Sequence, residues 1–304
     1  MTLNFFKKAV FVFSLLGTVF MSCDDTPVVP NLPFSSLQEF FDTQAPTAQT
    51  FTVDPTTTQT ITGSKGTSIT FFANSFVDMS GNAVTDPVTV KLTEVFSKGD
   101  MILVDRMTTS NGQLLESGGE FLLEATANGQ AVELNQMYNM QVPISSATSN
   151  PNAMDLFVGQ TVQDTFTWVP VDSSMIWTDS SNYNIYFDSL TWINCDYFYG
   201  SGLPTTNVNV EPVLDDGLTL TNVRAYLVFN NINSVTSLYY NNATNTYRVN
   251  AMPIGESVEI VMVGMNATQI YLGTLSTTLT NSNTIQVPLA PVTQAQLTAT
   301  INGL

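Results

Sequence analysis

Histidine is absent from this chain of 304 residues. Its absence excludes Ser-His-Asp and Cys-His catalysis and every metal site that depends on imidazole, because each requires that ring as a base or a ligand. Cysteine is almost as scarce, with Cys23 and Cys195 as the only two. Zinc and iron–sulfur sites that need several thiolates are therefore excluded as well.

Positively charged residues are also scarce, because the chain has 8 Lys and Arg but 25 Asp and Glu. Such a surface repels phosphate backbones and anionic lipid headgroups, so we expect neither nucleic-acid binding nor membrane docking through a basic patch. Acidic oxygens attract hard cations, which leaves calcium as the one metal to consider. Charged residues total only 11%, against roughly 25% in a typical soluble domain, and this composition is typical of exported β-rich proteins.

The apolar stretch at residues 9–20 is too short for a membrane span, which needs about 20 apolar residues. It follows Lys7 and Lys8 and has the form of a signal peptide. A small residue stands directly before Cys23, as a lipoprotein signal peptidase requires. We therefore predict a signal peptide over residues 1–22 and acyl chains on Cys23 that anchor the protein to a membrane.

Asp24 and Asp25 follow this cysteine and resemble the acidic export signal that sends Bacteroidota-type lipoproteins to the outer face of the outer membrane. The predicted location is therefore the outer membrane, with the lipid-anchored chain facing the cell exterior. Two alternatives stay open. In enteric bacteria an aspartate after the cysteine indicates inner-membrane retention, and an ordinary secretory signal would leave Cys23 incidental.

Alternating apolar and polar residues, as over residues 88–92, indicate antiparallel β-strands from about residue 50 onward. Asn128-Gly129 predicts a tight hairpin turn. We predict an all-β chain of two antiparallel β-sandwich-like domains with an aromatic-rich middle segment, and short helices at 36–43 and 293–303. The predicted divisions are a lipidated tether with a short helix (23–46), a first sandwich (47–145), the middle segment (146–203) and a second sandwich (204–304).

Three blocks resemble Bacteroidota-type surface lipoproteins: G-T-S-I-T-F-F-A-N-S-F-V-D at 66–78, T-T-S-N-G-Q-L-L-E-S-G-G at 108–119 and W-I-N-C-D at 192–196. The first block is also similar to ZU5-type β-domains, although Phe72 stands where a proline is usual. The resemblance covers most of residues 34–300. It implies a cell-surface lipoprotein built of β-domains, with no activity to transfer.

A weak calcium candidate lies in the turn that contains Asp78, Ser80 and Asn82, with Asp86 beyond it. These oxygen-bearing side chains alternate around a glycine, but the glutamate that ends an EF-hand loop is missing. A plain β-turn capped by Asp and Asn is the preferred interpretation, so we expect no cofactor.

All three tryptophans, Trp168, Trp177 and Trp192, fall in the predicted middle segment. They form either a platform on which sugar rings stack or a core that joins the two sandwiches, and we favour the core. Cys195 lies between apolar neighbours, which predicts a buried thiol rather than a reactive one.

Paired carboxylates are the catalytic apparatus that remains, as in glycoside hydrolases. Glu120 and Glu124 share one face of a predicted strand about 13 Å apart, which is too far for that chemistry and indicates a solvated face. We therefore predict a non-enzymatic role in surface binding, adhesion or assembly, with a surface glycan or protein as partner. The alternative is a glycan-binding module that uses the aromatic segment, and a carboxylate-based hydrolase is a distant third.

Overall fold

The computed structural model describes residues 32–144, 148–163, 165–171, 175–215, 217–281 and 283–304. The predicted signal peptide, Cys23, Asp24 and Asp25 lie outside these ranges. Within them, no helix is both long and apolar enough to cross a membrane.

Strands account for most of the described residues, and the all-β prediction is confirmed. The strands of the N-terminal part are β1 Gln49–Val53, β2 Gln59–Thr62, β3 Ser68–Phe71, β4 Phe76–Val77, β5 Val88–Val95, β6 Thr109–Ser110, β7 Gln113–Ala127, β8 Gln130–Ala131, β9 Glu133–Leu134, β10 Tyr138–Pro143, β11 Asp155–Val162, β12 Thr165–Pro170, β13 Ile176–Thr178, β14 Asn182–Phe187 and β15 Trp192–Phe198. Those of the C-terminal part are β16 Thr205–Val213, β17 Asn222–Phe229, β18 Val235–Asn241, β19 Thr246–Pro253, β20 Ser257–Met265, β21 Ile270–Thr278, β22 Asn283–Pro288 and β23 Ala290–Val292. The helices are α1 Leu37–Gln44, α2 Lys98–Leu103 and α3 Gln294–Asn302.

Two sheets enclose the core of the N-terminal part. One follows the order β1-β5-β7-β15-β11-β12, with β6 and β8 paired to β7, and the other follows β13-β14-β10-β3-β2. Strand β5 illustrates why the two sheets pack against each other. Its apolar side chains Val88, Val90 and Leu92 are buried in the shared core, while Lys91 is exposed. Successive side chains of a strand point to opposite faces, so the alternation in sequence becomes a buried face and a wet face.

The predicted hairpin turn is confirmed between β7 and β8. Asn128 and Gly129 have φ values of 50° and 77°, and Ala127 pairs with Gln130 across the turn. Positive φ at both central positions matches the right-handed twist of the flanking strands, which is why Asn-Gly is favoured there.

Strands β11 to β15, which fall in the predicted middle segment, complete the first sandwich instead of forming a separate unit. Strand β14 pairs with β10, while β15 pairs with both β7 and β11. The sandwich therefore runs on to Phe198, which corrects the boundary predicted at residue 145. Its last strands insert beside strands that are distant in sequence, and local composition carries no signal of such pairing.

The eight C-terminal strands form a single sheet in the order β22-β16-β19-β18-β17-β20-β21-β23. This sheet curls until it is nearly closed, and β22 runs parallel to β16. Its inward side chains, among them Val210, Leu227, Ile260 and Met262, form a core of their own. The second sandwich predicted over 204–304 is thus one curled sheet, because either arrangement buries the same alternating residues.

Both predicted helices are present, and their N-caps explain where they start. The Ser36 side chain accepts a hydrogen bond from the backbone at the first turn of α1. Thr293 and Gln296 form a reciprocal capping box at the start of α3. These bonds satisfy backbone donors that a helix start leaves without partners, and they confirm the predictions at 36–43 and 293–303.

The three helices cover the outer face of the curled sheet. In this layer the Phe41 ring lies 6.4 Å from the Tyr226 ring, measured between centroids. Helices α2 and α3 approach so closely that a Cβ atom at Gly99 would lie 2.1 Å from the carbonyl oxygen of Ile301. Because α2 directly follows β5, this layer connects the sandwich to the curled sheet.

Candidate functional site: an aromatic groove with arginine side chains

A groove separates the β11–β12 hairpin from the outer face of β17, β18 and β19. It consists of two adjoining compartments of about 640 Å³ and about 480 Å³. Thr109, Thr165, Phe166 and Tyr239 line both compartments. We refer to the two compartments together as the Tyr239 groove.

The hairpin wall of the groove is held in place by hydrogen bonds to the β6 region. The indole nitrogen of Trp168 donates to the carbonyl oxygen of Met107 at 3.0 Å, and the backbone N–H of Asn111 donates to Oγ1 of Thr167 at 3.1 Å. Phe166 packs edge-on against the Trp168 ring at 4.9 Å between centroids. The wall is therefore anchored to the sandwich core before any ligand is present.

The opposite wall carries an exposed aromatic ring, that of Tyr239, which is 64% exposed although it lies within a strand. Tyr240 is the next residue of the strand, so its side chain points to the other face of the sheet, where its ring lies 5.2 Å from the Tyr247 ring and its hydroxyl donates to the side chain of Asn245. A large exposed aromatic side chain within a concave surface is typical of a ligand-binding site.

All three arginines of the chain lie at this groove. Arg224 and Arg248 line it directly, on the two strands that flank Tyr239. Arg106 lies behind its wall, with the guanidinium carbon 4.1 Å from the centroid of Phe166 and 5.1 Å from that of Trp192. In a chain with so few basic residues, this makes the groove a local concentration of positive charge.

The two arginines that line the groove differ in their hydrogen-bond and ion-pair partners. Arg224 donates to the side chain of Gln38 at 2.6 Å and lies 3.6 Å from the carboxylate of Asp105. Arg248 donates through Nε to Oδ1 of Asn250 at 2.7 Å. No carboxylate of the described residues pairs with Arg248, and Asp105 is the sole described carboxylate that lines the groove.

A second cluster of polar side chains is buried between β7 and β15, at a bulge. Asn194 stands opposite Glu120 in the strand register, and its amide donates to Oδ2 of Asp196 at 2.6 Å. Ser117 donates to Oδ1 of Asn194 at 3.0 Å. Among the described residues, neither oxygen of Glu120 nor Oδ1 of Asp196 has a hydrogen-bond partner.

Burial raises the pKa of Glu120 and that of Asp196 well above their ordinary values. The neighbouring Asp196 raises the pKa of Glu120 further, while Arg106 lowers it. Neither side chain has any solvent exposure, so a substrate has no access to the pair. The sequence led us to expect that Glu120 and Glu124 both face solvent. Glu124 is exposed, but Glu120 is buried, so the expectation is wrong for Glu120.

Of the three tryptophans considered as possible glycan contacts, Trp168 and Trp192 lie together, with ring centroids 6.4 Å apart, whereas Trp177 lies elsewhere. Trp168 is fully buried, which leaves no ring face for a ligand, and Trp192 is half-buried beneath Arg106. Trp177 lies on the other sheet of the sandwich, 45% exposed and stacked on Tyr186 at 5.2 Å between centroids. Only Trp177 remains available as a contact of the kind expected.

The weak calcium candidate at Asp78, Ser80 and Asn82 is a turn that satisfies its own hydrogen bonds. Oδ1 of Asp78 accepts from the backbone of Ser80 at 2.8 Å and from that of Asn82 at 2.9 Å. Asp86 is engaged elsewhere, by the amide of Asn128 at 2.8 Å. In the described part of the chain, no group of three or more Asp, Glu or Cys side chains is arranged to hold a metal.

Cys195 is a free thiol with no solvent exposure, as its apolar neighbours predicted. It faces the sandwich core together with Leu156 and Ile193. Burial raises the pKa of this thiol well above its ordinary value, which keeps it protonated and unreactive.

Comparison of the chain with protein-family models gave no match, and comparison with curated proteins gave none either. The function is therefore inferred from the geometry of the groove. Sequence reasoning did not select Tyr239 or Arg248. The available signal was the scarcity of arginine, since only three occur in the chain and all three gather in one place.

Proposed function

We propose that this chain is a non-enzymatic, lipid-anchored surface protein that binds a carbohydrate in the Tyr239 groove. The observation that carries the proposal is the exposed Tyr239 ring, which lines both compartments of a groove walled on its other side by Phe166. Flat aromatic faces suit the apolar faces of pyranose rings, because both surfaces lose water when they stack.

The polar lining of the groove supports a sugar rather than an apolar ligand. Asn111, Gln163, Thr165 and Asn250 line the larger compartment together with the aromatic residues. Amides and hydroxyls both donate and accept hydrogen bonds, as the hydroxyl groups of a sugar also do. The compartment volumes fall within the roughly 300–1,000 Å³ of pockets that hold small ligands.

A binding role is favoured over hydrolysis because the two carboxyl groups that share one environment, Glu120 and Asp196, have no solvent exposure. A glycosidase needs both of its carboxyl groups at the scissile bond. The predicted acyl anchor at Cys23 and the export signal at Asp24 and Asp25 would present the groove at the outer surface of the cell.

The test is a glycan array probed with the full chain, followed by calorimetry on the saccharides that bind. We expect Tyr239→Ala to weaken binding about tenfold, as expected for the loss of about 1.4 kcal/mol of stacking. Trp177→Ala is the matched control, because it removes an exposed aromatic side chain outside the groove. Both variants should keep the wild-type melting temperature.

Two results would contradict the proposal. Binding that is unchanged in Tyr239→Ala but lost in Trp177→Ala would move the site to the stacked Trp177–Tyr186 pair. An array on which the wild-type chain binds no saccharide would remove the carbohydrate proposal and leave adhesion to a protein as the alternative.

A further inference from the structure

We propose that the Tyr239 groove selects saccharides that carry a carboxylate, that is, uronic-acid units, and that Arg248 recognises this group. The inference rests on the proposed carbohydrate function and names the ligand class. It follows from the register of β18 and β19, from the engagement of the three arginines and from the charge of the whole chain.

Tyr239 and Arg248 are directly opposed residues on adjacent antiparallel strands. The Cβ atoms of such a pair are about 4.5–5.5 Å apart, and both side chains leave the sheet on the same face. A pyranose ring stacked on Tyr239 holds its equatorial substituents at its edge, near the mean plane of the ring. The C5 carboxylate of a D-uronic acid is equatorial, so it lies within reach of the guanidinium of Arg248.

Arg248 is the arginine with capacity for such a ligand. The Asn250 side chain accepts from its Nε atom and thereby orients the guanidinium. Arg224 is already engaged by Gln38 and Asp105, and Arg106 is packed between two aromatic rings. A guanidinium binds a carboxylate through two parallel hydrogen bonds, and such charge-assisted bonds are roughly twice as strong as neutral ones.

Because the chain is strongly acidic, binding of an acidic saccharide depends on the positive charge of Arg248. With a formal net charge of −17, most of the surface repels an acidic polymer. An acidic saccharide can therefore bind only where positive charge is concentrated, and the groove holds a single described carboxylate against its arginines. A neutral saccharide would need no such concentration.

The experiment compares trigalacturonic acid with its methyl ester, which keeps the rings and removes the charge. We expect calorimetry on the full chain to show at least about tenfold tighter binding of the acid. Arg248→Gln should reduce binding of the acid to the level of the ester. Lys91→Gln, the same change of charge at an exposed site on β5, should alter neither.

Each outcome separates this inference from the proposed function. Equal binding of acid and ester, with both weakened in Tyr239→Ala, would overturn the selection by Arg248 and keep the carbohydrate site. Equal loss of acid binding in Arg248→Gln and Lys91→Gln would show a general charge effect, which also overturns it. Binding of neither ligand, together with an empty glycan array, would overturn both.

Discussion

Glu120 and Asp196 share one fully buried environment, in which the amide of Asn194 stands opposite Glu120 in the strand register and donates to Asp196 Oδ2 at 2.6 Å. Three of the four carboxyl oxygens have no hydrogen-bond partner among the described residues. Ionisation of either group in this place is costly, because no solvent stabilises the charge. The folded chain therefore favours the neutral, protonated forms of both.

This arrangement predicts a pH dependence of stability. Because the folded-state pKa of Glu120 is raised, its contribution to stability is fully present below its unfolded pKa of about 4.3 and is lost as the pH rises through the folded-state value. Glu120→Gln, which cannot ionise, should lose less stability than the wild type when the pH is raised from 5 to 8. Urea denaturation at pH 5 and pH 8 measures the difference.

Glu124→Gln is the control for that measurement, since Glu124 lies on the same strand but is exposed. It should change stability little at either pH. A Glu120→Gln variant that loses as much stability as the wild type between pH 5 and pH 8 would contradict the prediction.

Cys195 should resist alkylation in the native protein and react fully only in denaturant. Burial in the sandwich core blocks access to the thiol, and its raised pKa keeps the reactive thiolate scarce. Labelling a Cys23→Ala background with iodoacetamide at pH 8, with and without urea, isolates this thiol. Rapid labelling without urea would place Cys195 at the surface.

The turn at Asp78 should be insensitive to chelators. We expect EDTA to leave the melting temperature unchanged and Asp78→Ala to lower it slightly, because the turn loses an acceptor for the backbone of Ser80 and Asn82. Asp78→Asn keeps an acceptor oxygen and should cost less. A melting temperature that falls with EDTA and recovers with calcium would instead establish a calcium site.

The lipid anchor is predicted from sequence alone and is tested at Cys23. Cys23→Ala should remove the acylation site and release the chain from membranes or leave it as an unprocessed precursor. Detergent partitioning of the variant and the wild type measures the change, with Cys195→Ala as a control that keeps the anchor. Unchanged partitioning of Cys23→Ala would contradict the lipoprotein prediction.

Features with a local cause were predictable from the sequence. Ser36 before an apolar helical pattern, and Thr293 before another, determined where α1 and α3 begin, because a cap acts on the backbone three residues away. Asn128-Gly129 determined a tight turn, because both residues tolerate positive φ. The alternating pattern determined the all-β class in the same way.

The site was decided by the tertiary structure. The sequence pattern does not distinguish Glu120 from Glu124, yet only Glu120 is buried. Burial of a β7 side chain depends on which other strands and helices pack against that part of β7. The Tyr239 groove lies between strands that are far apart along the chain, such as β12 and β18. The sequence by itself determined the strands, their caps and their turns, whereas non-local pairing decided which side chains face solvent together, since only the folded chain brings them within contact distance.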